Sequence, residues 1–292
     1  MNRKAIALLT TVGLILILSL LVLKSVTISQ KYFIKLNEIN VATQLNKIFL
    51  DVLKILEENT KDISDKESLS SIVGLPIMIN DENMQTFIDI SSAASTLNIN
   101  SILTQQNTTN EVLYSFLQNV LYEYRVTNGN LFLLILLDAV DKDKNQRAYM
   151  SEAALNSERF EDGGIYSREA FNFLLDYYVA QGGDAAIYKI PWGDIVGFYG
   201  DSVDFNYIKA PLLNLMEKVY NFTYLAEQGL ISSYRDLRLS SEAEAAFGAL
   251  NIGFFTPSVI CVMNVSYLDE QKTFSFMYDI KTKKVSYIET VF

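Results

Sequence analysis

The first sixty residues limit most strongly what this chain can fold into. A basic leader, Asn2-Arg3-Lys4, runs into a nearly unbroken apolar stretch from Ala5 to Leu23, interrupted only by Thr10, Thr11, Gly13 and Ser19. Roughly 20 such residues cross a bilayer core as a helix. From Lys24 to Glu58 the sequence becomes amphipathic and contains no Gly or Pro to stop a helix. Ile34, Val41, Leu45, Ile48, Phe49, Val52 and Ile55 or Leu56 recur at steps of three, four or seven, which is helical spacing. One helix is therefore expected from Ile6 to about Glu58. At ~1.5 Å per residue it would be on the order of 80 Å long, far beyond an ordinary globular helix. Residues 6–24 would lie in the membrane, and 25–58 would stand on it and carry the rest.

A cleaved secretory signal does not fit, because the apolar run is too long and no small-x-small site follows it. Two readings remain. One is a plain signal anchor. The other is a segment similar to a type IV pilin N-terminus, in which a basic leader ends in a small residue and a peptidase on the cytoplasmic side cuts before the apolar run. On that reading residues 1–5 are the leader, Ala5 precedes the cut and Ile6 is the first mature residue. Lys and Arg flank the run on both sides, so charge sets the orientation only weakly. The long amphipathic continuation and large C-terminal part favour the N-terminus inside and the body outside.

Composition removes several function classes. The formal charge of −10 argues against a broad nucleic-acid face, which needs a basic surface. There is no His, so the commonest general base and zinc ligand are missing. Cys261 is the single cysteine and lies in the apolar run Val259 to Met263, where it reads as a small core residue. No nucleophile, base and oxyanion donor come together in the sequence, and no enzyme is expected. With half its residues hydrophobic, the chain has ample material for a core.

Beyond the long helix, Gln85 to Ile90 reads as a strand, and helices are expected over 110–121, 131–140, 168–180, 212–230 and 242–250. After Pro257 the pattern turns to β, with strands over 259–267, 273–280 and 285–291 forming an antiparallel meander. The order is long helix, a little β, a helical block, then a sheet. No repeat of fixed period is visible.

The strongest chemical signal is the stretch from Asp141 to Glu152. Asp141, Asp143, Asn145 and Glu152 fill positions 1, 3, 5 and 12 of a calcium loop, and Arg147 falls at position 7, where a backbone carbonyl suffices. An apolar helix precedes the loop, as in an EF-hand. Gln146 stands where the sharp turn prefers Gly, and Ala148 where a branched apolar residue is usual. The competing reading is a solvated acidic turn. Glu161 and Asp162, further along, could complete a calcium site of another kind.

Several elements together resemble the K-type minor pseudopilins of bacterial type II secretion systems. Lys4-Ala5 followed by Ile6-Ala7-Leu8-Leu9-Thr10 is similar to that family's basic-small, then x-Ala-Leu-Leu start. Leu97-Asn98-Ile99-Asn100, preceded by Asp89, resembles its Asn-Leu-Asn element. Leu136-Leu137-Asp138-Ala139-Val140-Asp141-Lys142-Asp143 resembles its Leu-Leu-Asp-Trp-Ile-Asp-x-Asp segment. A weaker second Asn-containing element lies at Asp204-Phe205-Asn206. Ala5 and Ala139 depart from the family's Gly and aromatic, and the loop after Asp89 is longer.

The resemblance implies an α+β fold. A pilin-like α/β domain would begin over 59–130 and be completed by an antiparallel sheet over 253–292, with a mostly helical domain inserted at 131–252. It implies calcium in that region, at Asp141, Asp143 and Asn145. It implies a single-pass protein of the bacterial inner membrane, with its body in the periplasm. Its partners would be other minor pseudopilins and the inner-membrane secretion machinery, at a pseudopilus tip serving protein export. Thr10, Ile34, Val41 and Ile48 are the expected assembly positions. A DNA-uptake pseudopilus and a membrane-tethered periplasmic binding or sensor module are the alternatives.

Overall fold

The structure is a computed structural model that describes residues 24–26, 30–32, 35, 43–44, 46–81, 84–157, 160–200, 202–224, 229–267 and 270–291. Ala5, Ile6, Thr10, Ile34 and Val41, with the apolar stretch up to Leu23, lie outside the described residues. Among the described residues no helix is long and apolar enough to cross a membrane. The chain divides into two units, Met1–Thr60 with Tyr267–Asp269, and Lys61–Ser266 with Glu270–Phe292.

In the first unit, α1 (residues 46–59) is helical, as the spacing predicts. Ile48, Val52 and Leu56, four residues apart, are buried, while Leu50 is 63% exposed. That pattern is one apolar stripe on a helix. Ile48, one of the expected assembly positions, is 4% exposed on this stripe.

The second unit begins with α2 (Lys66–Ser70), capped by Asp65, whose side chain accepts from the Ser68 amide. A five-stranded sheet follows in the order β1 (Ile77–Asp81), β2 (Met84–Ser92), β7 (Ser258–Tyr267), β8 (Glu270–Asp279), β9 (Lys284–Val291). β1 pairs antiparallel with β2, and β8 with β9. On β2, Thr86, Ile88, Ile90 and Ser92 are buried at alternate positions, the period of two that a half-covered strand requires. Cys261 is buried in β7, and burial pushes its thiol up to about 12, so it is an inert core residue. β2 and β7 are neighbours although more than 160 residues separate them. Everything between is one insertion into the sheet.

The insertion is helical. After β3 (Leu97–Asn98) come α3 (Glu111–Glu123), α4 (Gly129–Val140), α5 (Ala153–Asn156), α6 (Arg168–Ala180) and α7 (Trp192–Ile195). Then follow β4 (Val196–Gly197), β5 (Val203–Asp204), α8 (Ala210–Tyr220), α9 (Ser241–Ala249) and β6 (Ile252–Gly253). α4 is nearly all hydrocarbon because it is central: Phe132, Leu133, Ile135 and Leu136 are all fully buried. Phe132 packs edge-on against Tyr178 at 5.5 Å and tilted against Trp192 at 5.6 Å. One continuous apolar core runs from Leu97 to Ile252. The helical block thus starts near Leu97 rather than at 131, because the apolar face of α3 belongs to the same core as α4. The helix expected over 212–230 stops at Tyr220, where Asn221 turns left-handed at φ 52° and its amide caps Glu217.

Candidate functional site

The site grows out of the C-terminal end of α4. Asp138 sits on the buried face of that helix with 0% exposure, and Asp141, its C-cap residue, is 2% exposed. Two carboxylates cannot stay charged there without donors. The donors come from the loop that follows. The Arg147 amide donates to Asp138 Oδ2 at 3.0 Å. Arg147 Nη1 bonds both Asp138 Oδ1 and Asp141 Oδ2. The Ser151 hydroxyl also donates to Asp138, and the Ala148 amide donates to that hydroxyl at 2.8 Å. Burial alone would lower the Arg147 pKa, but the bonds to Asp138 and Asp141 outweigh it and raise it. Burial raises the Asp141 pKa against the opposing pull of Arg147.

The calcium-loop reading can be tested against this arrangement. Asp141 is engaged with Arg147, and Asp143 accepts from the Asn145 amide at 2.7 Å in a local turn. Asp143 and Asn145 are exposed. Among the described residues no group of three or more Asp, Glu, Cys or His side chains is arranged to hold a metal ion. The residues therefore do not fit calcium in EF-hand register. Position 7 explains why: its side chain turns inward as a cation, where only its carbonyl is needed.

A second acidic pair lies beside the first. Glu152 is fully buried, and its Oε2 has no hydrogen-bond partner; neither has Asp162 Oδ1. Burial, then the neighbouring Asp162, pushes the Glu152 carboxyl up to about 8, and burial also raises Asp162. The chain returns here because the Gly163 and Gly164 amides donate to the Ala139 carbonyl at 3.3 and 3.2 Å. Both glycines have positive φ, 104° and 139°, and a Cβ on Gly164 would sit 2.4 Å from the Tyr166 hydroxyl. A buried and a half-buried carboxylate, each with an orphaned oxygen, can share a proton or hold a cation. Of the sequence-expected ligands Glu152 and Asp141 are of this kind, since Asp141 Oδ1 is buried without a hydrogen-bond partner although its Oδ2 meets Arg147. Asp138 and Ser151 did not figure among them, although a lone carboxylate in Leu-Leu-Ile-Leu-Leu-Asp-Ala-Val signals a buried partner.

Two other elements share one geometry. Asn98 caps a 3-10 turn over Ile99–Ile102, and Asn100 clamps a distant backbone: its Nδ2 donates to Ile165 O and its Oδ1 accepts from Ile165 N, both at 2.7 Å. Asp204 caps a 3-10 turn over Phe205–Tyr207, and Asn206 clamps Ile231 likewise, at 3.1 and 2.7 Å. Each follows a two-residue strand in a parallel pair, β3 with β4 and β5 with β6. Each leads into a helix, α3 or α8.

These features define a class of fold: an antiparallel-edged sheet whose neighbouring strands β2 and β7 bracket a large helical insertion built on two Asn-clamped turns. No family model matches the chain, and no curated protein matches it by sequence. Among solved structures, it is similar to a chain of the GspK–GspI–GspJ complex from the type 2 secretion system of enterotoxigenic Escherichia coli. The TM-score is 0.65 at 12% sequence identity, with 88% of this chain and 98% of that chain covered. The two chains share a fold over nearly their whole lengths.

Proposed function

We propose that this chain is a minor pseudopilin of a type II secretion-like system, acting by subunit assembly rather than catalysis. The observation that carries the reading is the fold likeness to a chain of the GspK–GspI–GspJ complex, which spans the sheet and the helical insertion alike. The basic leader, the apolar run and the amphipathic continuation supply what such a subunit needs to be anchored in the inner membrane with its body outside. The partners are other pilin-like subunits, met through the N-terminal helix. The role is to cap or initiate the pseudopilus. Affinity purification of the full chain from membranes should recover two or three smaller pilin-like proteins. Recovery without any pilin-like partner, together with an intact Met1, would instead support a tethered sensor module.

Calcium, on this reading, sits between Glu152 and Asp162, with Asp143 and Asn145 uninvolved. The support is the pair of orphaned carboxylate oxygens. An ion that binds only the folded state raises its melting temperature with concentration. Millimolar calcium should therefore raise the melting temperature of the wild type over that in chelator, and E152Q should abolish the rise. No shift in the wild type removes calcium from the account.

A further inference from the structure

The loop from Asp141 to Glu152 has calcium-ligand spacing, yet its acidic start already carries one internal cation, which bonds both Asp138 and Asp141 and leaves Asp141 Oδ1 without a partner. We propose that Arg147 is a resident cation, its guanidinium closing Asp138 and Asp141 where a calcium loop of this spacing would use a metal. This goes beyond the assembly reading and does not depend on it.

The argument is one of donors and acceptors. A calcium ion draws six to eight oxygens around itself. Here Asp138 and Asp141 converge on one nitrogen, Arg147 Nη1. Asp138 is further held by the Arg147 amide at 3.0 Å and by Ser151. The side chain that supplies the charge thus also supplies the backbone donor, so the loop is pinned to the end of α4 at two atoms of one residue. The Asp138 and Asp141 side chains are 0% and 1% exposed, against 28% for Arg147. A guanidinium suits this place because it stays charged at any physiological pH and is less strongly hydrated than an ammonium. It is also carried in cis, so closure needs no ion from solution. Of the two exposed members of the spacing, Asp143 accepts from the Asn145 backbone amide at 2.7 Å in a local Asx turn.

The test uses the full chain purified in detergent, in chelator and in millimolar calcium. Arg147→Met removes the guanidinium and leaves two buried carboxylates without it. Its melting temperature in chelator should fall by roughly 10 °C. The triple variant D138N/D141N/R147M, which removes both charges with the cation, should recover most of that loss. D143N/N145A should leave the wild type's response to calcium unchanged, whatever that response is. An R147M protein that melts with the wild type, or a triple variant no better than R147M, would overturn the proposal. So would a calcium response that disappears in D143N/N145A, since the metal would then sit in the loop's own register. If R147M yields no folded protein, the triple variant still decides: folded, it supports the counter-ion role; unfolded, it removes it.

Discussion

At the scale of single residues, the buried carboxylates set the most specific expectations. Glu152 has a folded pKa of about 8 against an ordinary 4.5. A carboxyl whose pKa is raised by folding holds a proton that the unfolded chain releases, so stability falls as pH climbs between those two values. Without calcium, the urea midpoint should therefore drop from pH 5 to pH 8, and Glu152→Gln should flatten that slope. Calcium needs the carboxylate form and displaces the proton, so the ion should stabilise more at pH 8 than at pH 5. A wild-type slope identical to that of E152Q would refute the shared-proton pair. Asn206 offers a second prediction. Its amide donates to Ile231 O and Phe254 O and accepts from Ile231 N, so Asn206→Ala should cost about 2–4 kcal/mol by chemical denaturation. What the sequence could say at this scale was uneven. The Asp-x-Asp-x-Asn spacing is visible, but spacing does not reveal that position 7 turns its side chain inward. That depends on where Asp138 is buried, which is a fact of packing.

At the scale of elements, the periodic stretches were readable and the non-local pairings were not. α6 begins at Arg168 behind the Ser167 cap, and its Phe171, Leu174 and Tyr178 face inward, as helical spacing requires. The last three strands follow their β-rich runs. The joining of β2 to β7 could not be read from local pattern, because nothing in either strand encodes a partner across the insertion; only the family resemblance implied it. The two Asn-clamped turns share geometry more than sequence, Leu-Asn-Ile-Asn against Val-Asp-Phe-Asn, which is why no fixed-period repeat appeared. α1 yields a prediction of its own. Ile48 is 4% and Leu50 63% exposed on the same helix. Ile48→Asp places a charge at a buried position and should lower the melting temperature. Leu50→Asp should leave stability within about 0.5 kcal/mol, as for a surface change, while weakening recovery of pilin-like partners. Equal loss of stability in both variants would mean that the stripe is not the one described.

At the scale of the whole molecule, the prediction concerns where such a subunit sits in a filament. Major pilin-like subunits carry a Glu at the fifth mature residue. An unpaired carboxylate in hydrocarbon is costly, so it must find a partner, commonly taken to be the terminal amine of the subunit assembled before it. With cleavage after Ala5, the fifth mature residue here is Thr10, which carries no charge to neutralise. A subunit of this kind gains nothing from a predecessor and suits the first position. The helical insertion points the same way. It holds one apolar core from Leu97 to Ile252, a head larger than the sheet that carries it, and a head of that size fits at an end more readily than in a tightly stacked shaft. The expected outcome is a low-copy protein at one end of the filament. Mass spectrometry should find a mature chain beginning at Ile6, and Ala5 replaced by a bulky residue should leave residues 1–5 attached. Thr10→Glu should leave processing intact but allow the protein to enter the shaft at a measurable level. Immunogold labelling that finds the unaltered protein at regular intervals along purified filaments would overturn the tip assignment, even if processing and partner recovery both succeed.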